Sequence, residues 1–235
     1  MEMKKARRSL VATGALLLFL FAAKATFAQE SNVRATFFGS GSFLKAERNF
    51  TVDGDAKRSN FADGGRIGAR FTVDLDSHWA AEAAYGYGTN NLRILDVGAP
   101  TVTRAFGTRI HQLTGNVSYY FSEPHHGLRP FVTAGVGIMR FNPTSKAKSA
   151  ASIQFVNDPA TIMSNTKFEF NYGAGLEATA SDHLGFRFDL RDHLAGIPRF
   201  GVPEAPAAGV ADFFPVSGVI HDVEVSGGIV FYFGH

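Results

Sequence analysis

The chain has no cysteine in its 235 residues. That excludes a disulfide scaffold, a thiolate metal site and a cysteine nucleophile. It has one tryptophan and, beyond residue 30, no run near the roughly 18 consecutive apolar residues that a membrane-crossing helix needs. Neither Gly-x-x-x-x-Gly-Lys-Ser/Thr nor Gly-x-Gly-x-x-Gly occurs, so no phosphate-cradling loop and no cofactor is indicated. A surplus of positive charge is also missing once its location is considered. Lys4, Lys5, Arg7, Arg8 and Lys24 against Glu2 give residues 1–28 a net +4, and the whole chain is +2, which leaves residues 29–235 at −2. The basic balance belongs to the N-terminal segment and gives no support for nucleic-acid binding.

That segment reads as a signal peptide. Four cations precede an apolar stretch from Leu10 to Ala23, and small-residue cleavage sites follow Ala25 and Ala28. A stretch this short with these flanks suits export better than a membrane anchor. Residues 29–235 then form one domain, since all-β barrels often reach this length as a unit. If that domain crosses a membrane it must do so as a closed barrel, the one strand architecture with no unpaired edge in lipid.

What is abundant is glycine (25) and phenylalanine (23), set in segments that alternate with period two. Strands are predicted at 33–43, 61–75, 79–89, 106–121, 129–141, 167–180, 184–194 and 222–233. Three connections are short: 76–78, 122–128 and 181–183. Four are long and polar: 44–60, 90–105, 142–166 and 195–221. This alternation predicts an all-β, eight-stranded antiparallel up-and-down transmembrane β-barrel, with short periplasmic turns and long external loops. Phe168, Phe170, Tyr172, Ala174, Leu176 and Ala178 share one face, and Glu169, Asn171, Gly173, Gly175, Glu177 and Thr179 the other. Leu184, Phe186, Phe188 and Leu190 repeat the pattern against Gly185, Arg187, Asp189 and Arg191. Parity does not say which face is inside; the charges, the leader and the loop plan together place the apolar face toward lipid.

Two stretches carry a family pattern. One is Leu128-Arg129-Pro130-Phe131-Val132-Thr133-Ala134-Gly135-Val136-Gly137, which follows Tyr119-Tyr120-Phe121. The other is Phe170 to Gly175 with Gly185-Phe186-Arg187-Phe188-Asp189-Leu190-Arg191-Asp192. Through them the chain resembles the bacterial outer-membrane β-barrel family that includes the OmpA transmembrane domain and small porin-like proteins. The resemblance implies a Gram-negative outer-membrane location, with outer-membrane lipids and the barrel-assembly machinery as partners. Family members usually end on an aromatic residue; Phe231-Tyr232-Phe233 fits, with Gly234 and His235 after it. The peptidoglycan-binding domain that some members carry after the barrel is not expected.

Three sets of residues are candidates for function. Arg34, Arg66, Arg70, Arg187 and Arg191 against Glu82, Glu169, Glu177, Asp189 and Glu224 form an expected lumen ion-pair network, read either as a structural plug or as the lining of a selective pore. Trp79, Tyr85, Tyr87, Tyr119, Phe121, Phe131, Phe141, Phe168 and Phe233 lie near strand ends and are expected to form aromatic girdles at the two interfaces. The histidines form no evident catalytic set. His111, His193 and His221 lie near strand ends, and His78, His125, His126 and His183 in short turns, without a His-x-Ser arrangement on one strand face. His221-Asp222-Val223-Glu224 lacks the second cluster that a metal site needs, so no metal is expected. Gly86, Gly88, Gly135, Gly137, Gly173 and Gly175 are read as relief of crowding in a narrow barrel.

The expectation is therefore a monomeric outer-membrane barrel of structural, surface-interaction or weakly pore-forming role, with no enzymatic chemistry. Its surface ligand is open. Two other readings stay open at this point: a lipid-A-modifying enzyme on the same fold, and a soluble secreted barrel holding an apolar ligand.

Overall fold

The structure, a computed structural model, describes residues 33–45, 48–52, 55–96, 102–124, 127–148, 163–201 and 218–233. The expected signal peptide, His125 and His126, and Gly234 and His235 lie outside them. Ten strands follow in chain order: β1 (Val33–Lys45), β2 (Arg48–Val52), β3 (Asp55–Phe61), β4 (Gly64–Asp74), β5 (Trp79–Asp96), β6 (Val102–Tyr120), β7 (Leu128–Pro143), β8 (Asn165–Ser181), β9 (Leu184–Gly196) and β10 (Val219–Phe233).

Eight of these close into an antiparallel barrel. β1 pairs with β4 on one side and β10 on the other, β10 with β9, and so on to β6, which closes on β5. The remaining two form a hairpin within the predicted loop 44–60, and its second strand pairs with the distal end of β5, Lys57 opposite Asp96. β5 and β6 likewise run past their predicted limits, into the expected loop 90–105. Polar residues pair there as readily as apolar ones, because backbone hydrogen bonds need no buried face; hydrophobic period therefore could not find these extensions.

The pleat sorts side chains by parity. Along β9 every odd position from Gly185 to Ala195 is buried, and the even positions from Phe186 to Leu190 are exposed. The exterior is a continuous apolar surface that includes Phe37, Ile67, Phe71, Phe186, Phe188, Leu190 and Val225. A soluble barrel with an apolar interior would have the opposite parity, so the apolar-carrier reading has no support here. Among the described residues no helix is long and apolar enough to cross a membrane.

Inside are two regions of opposite character. Most of the barrel interior is polar. At the end where the long connections emerge, Leu44, Ile110, Met139, Phe141, Ala195 and Ile220 from the wall and Phe61 from the hairpin strand β3 meet Ala147, Ile197 and Phe200 from the loops. A helical turn at 145–148 presents Ala147, whose N–H donates to Thr144 Oγ1 at 3.3 Å. Phe200, which packs in this mouth, adopts a left-handed φ of 53° before Gly201 at 89°.

Candidate functional site

The lumen is built from residues whose parity points inward and whose charged side chains are buried. Nearest the short turns, Arg34 on β1 donates two hydrogen bonds to Asp74 on β4, at 2.7 and 2.9 Å. Glu177 on β8 lies 3.6 Å from Arg34 and 3.9 Å from Arg129. It also accepts from the hydroxyls of Tyr120, at 3.2 Å, and Tyr232, at 3.3 Å. Both guanidiniums lie against the ring of Tyr120, at 5.0 and 4.2 Å from its centroid. The buried ring supplies cation–π attraction to both.

At mid-barrel the register of β9 stacks Arg187, Asp189 and Arg191 on one face. Glu82 on β5 is in ion-pair contact with Arg187 at 2.9 Å and with Arg191 at 3.0 Å. Asp189 takes the other side of both, at 3.0 and 2.9 Å, and receives Arg70 at 3.2 Å. Asn116 donates to Glu82 at 3.0 Å and accepts from Asn171 at 2.9 Å. Glycine makes room for these long side chains. A Cβ on Gly86 would sit 2.7 Å from Arg66, and one on Gly175 would collide with the ring of Phe131.

Toward the mouth Arg66 bridges Asp222 at 2.6 Å and Glu224 at 2.9 Å, and also donates to Gln112 at 2.8 Å. Glu224 is shared with Arg70 at 3.1 Å. Gln112 in turn donates to Glu169 at 2.9 Å and meets His193 Nδ1 at 2.8 Å.

All ten residues of the expected network are therefore buried and inward, but the set is larger than the sequence suggested. Asp74, Arg129 and Asp222 join it, and Glu169 has amide and imidazole partners instead of an arginine. Parity could have found them, since Asp74 shares its face with Arg66 and Arg70, and Asp222 with Glu224. Gln112, Asn116 and Asn171 share that face too, but uncharged amides stand out less in a sequence.

The girdle assignment needs correction at two positions. Trp79, Tyr85, Phe121, Phe168 and Phe233 are exposed on the exterior, and Tyr87 and Tyr119 half-buried on it. Phe131 and Phe141 are buried inside. They share the parity of Arg129 and Thr133 along β7, while Val132, Ala134, Val136 and Ile138 face out. Nearness to a strand end fixes height but not side. Phe131 lies under the Arg187 guanidinium at 4.3 Å, and Phe141 belongs to the apolar mouth.

The histidines are dispersed. His193 is in the lumen. Tyr85 Oη lies 2.8 Å from His111 Nδ1 on the exterior, and His221 Nδ1 lies 2.8 Å from Asp192, which also accepts from the Tyr172 hydroxyl at 3.2 Å. Ser77 Oγ and His78 Nδ1 are 2.9 Å apart in a short turn. Asp76 there accepts from the backbone N–H groups of His78 and Trp79, at 2.7 and 2.8 Å. Those donors hold its carboxyl below the ordinary range. Among the described residues no cluster of three or more His, Asp and Glu is arranged to hold a metal.

Comparison with known proteins agrees with this geometry. Residues 13–203 match the sequence profile of the outer membrane protein beta-barrel domain. No curated protein sequence matches. Among solved structures, the chain is similar to OprG of Pseudomonas aeruginosa, with a TM-score of 0.55 and 13% identity over 87% of this chain and 96% of that one. It is also similar to AlkL in lipid bilayers, with a TM-score of 0.51 and 13% identity over 88% and 92%. The N-terminal barrel of P. aeruginosa OprF gives 0.47 at 17% identity over 86% and 97%. A closed eight-stranded barrel, apolar outside and charged within, that matches this profile over most of its length belongs to the outer membrane protein beta-barrel domain family of the bacterial outer membrane.

Proposed function

We propose that this outer-membrane barrel is sealed, and that it serves a structural or surface-interaction role instead of sustained permeation. The observation that carries this reading is the continuity of the filling. Arg34, Arg66, Arg70, Arg129, Arg187 and Arg191 are each within ion-pair distance of at least one carboxylate, from the periplasmic turns to the upper lumen. An eight-stranded barrel is just wide enough for side chains to fill it, and water-filled channels belong to barrels of about 16 or more strands. Above the charges the apolar mouth adds a second seal that no ion would enter readily.

The protein carries out no chemistry of its own in this reading. His111 and His221 are engaged by Tyr85 and Asp192, and Ser77 and His78 lack a carboxylate partner on the ring among the described residues. A triad would need that third group to orient the base. Closure of β1 on β10 leaves no edge strand in the barrel wall, which suits a monomer. The aromatic end of β10 is the segment that the assembly machinery would read.

Purified protein in planar bilayers is expected to show little or no steady conductance. Glu177→Ala and Arg187→Ala should raise it by opening the plug. Large and reproducible wild-type channels would replace this reading with that of a porin.

A further inference from the structure

The outward face of the wall is unequal at its two rims. In the described turns 75–78, 121–124 and 181–183 the charged residues other than histidine are Asp76, Glu123 and Asp182. At the opposite rim the outward strand positions with described side chains carry Lys45, Arg93, Arg109 and Arg140, with Asp192 as the acid among them. Two of the cations converge. Arg109 on β6 pairs in register with Asn142 on β7, and His111 with Arg140, so Arg109 and Arg140 are diagonal neighbours across one ladder. Such diagonals place long side chains within reach of a common group, roughly 7–8 Å apart at the backbone.

The surroundings prepare these cations for an anion. Arg140 Nε donates to Asn142 Oδ1 at 3.2 Å, which fixes the guanidinium while leaving its terminal nitrogens free. Neither arginine is within ion-pair distance of a described carboxylate. Tyr85 occupies His111 Nδ1, and the ring of Tyr87 packs on the imidazole at 5.0 Å, so Nε2 is the nitrogen left to face outward. Below the cations the same strands turn apolar, through Leu113, Ile138, Val136 and Val117, down to the aromatic group of Trp79, Tyr119 and Phe121. Gly115 interrupts that wall, and a Cβ there would meet nothing within 4 Å, so the surface between Ala83 and Val136 is shallow. From Tyr119 to His111 is eight residues along a tilted strand, which spans roughly 20 Å of height, close to the thickness of an outer-membrane apolar band.

We infer that Arg109 and Arg140, with His111 between them, form a site on the outer rim of β6 and β7 for the phosphate groups of a multiply acylated glycolipid of the outer leaflet, whose acyl chains lie along Leu113, Gly115 and Val136. Paired guanidiniums suit phosphate because each offers a planar fork of donors. The apolar wall beneath selects a lipid over a free anion. The site is on the lipid face of the wall, so it operates whether or not the lumen conducts.

The test uses the whole folded protein in zwitterionic micelles, titrated with a fluorescent bisphosphorylated lipid A and with the same lipid after removal of its phosphates. Wild type should bind the phosphorylated form at least tenfold more tightly. Arg109→Ala/Arg140→Ala should erase that preference, and Arg140→Gln should reduce it in part. Lys146→Ala, an exposed loop cation off the wall, should change binding less than twofold. Unheated gel mobility identifies the folded fraction of each variant, and only that fraction is compared. Equal binding of the two lipids, an unaffected double variant, or an equal loss in Lys146→Ala would overturn the assignment. Complete competition by millimolar inorganic phosphate would overturn its lipid part.

Discussion

The lumen and the mouth of this barrel are filled by opposite chemistry. In the lumen, Glu82 and Asp189 lie between Arg187 and Arg191, and each charge is tolerable only because its partners are in place. In the mouth, Ile110, Met139, Phe141 and Ile220 pack with Phe200, and no partner is irreplaceable. Buried charges are specific and brittle, because removal of one strands another without water. Apolar packing is non-directional and yields by degrees. The difference predicts where single substitutions will be severe.

The largest effect is expected in the lumen. Glu82→Ala removes the carboxylate shared by Arg187 and Arg191 and leaves them facing each other beside Asp189 alone. Breaking a buried pair from one side typically costs about 3–5 kcal/mol, and reversible unfolding in lipid vesicles would measure it. A loss under 1 kcal/mol would mean that water reaches this layer and that the lumen is not dry.

The next effect separates the two faces of one strand. Leu176 is exposed on the exterior of β8, and its neighbour Glu177 is buried. Leu176→Arg should impair folding into lipid by roughly 2–4 kcal/mol if the position is near the bilayer midplane. Glu177→Gln should leave insertion largely intact, since the amide still fits the space beside Tyr120 and Tyr232. A harmless Leu176→Arg together with blocked insertion of Glu177→Arg would invert the assignment of inside and outside.

The smallest effect belongs to the mouth. Met139→Leu preserves volume and hydrophobicity, and such exchanges usually cost less than about 1.5 kcal/mol. Unfolding by the same measurement should show a small change with no gain in conductance. A loss as large as that of Glu82→Ala would abolish the contrast between the two regions.

Much of this architecture was legible because a barrel wall obeys period two. Once Glu169, Glu177, Arg187 and Arg191 fell on one parity, the faces of β8 and β9 followed, and the short turns set the strand count. What escaped was of two kinds. Phe131 and Phe141 looked like interface aromatics because height along a strand is visible in sequence, while their side depends on parity along β7. The mouth was hidden for a different reason. Its loop members Ala147, Ile197 and Phe200 come from irregular segments with no period to read, and Phe200 reaches the mouth through a left-handed backbone that a phenylalanine seldom adopts. The two arginines of the outer rim lie inside the predicted strands 106–121 and 129–141, but their meeting depends on the β6–β7 register, which the sequence does not display.

The absence of cysteine permits a direct test of the central claim, that the lumen is dry and closed. Ser118 is fully buried on β6, where its hydroxyl donates to Thr133 Oγ1 at 3.0 Å. Ser118→Cys is nearly isosteric and introduces the chain's one thiol. In the folded protein in vesicles, a charged water-soluble thiol reagent should leave it unmodified, while the boiled protein reacts fully. Rapid modification of the folded form would show that water and solutes reach the lumen, and the sealed-lumen account would be wrong.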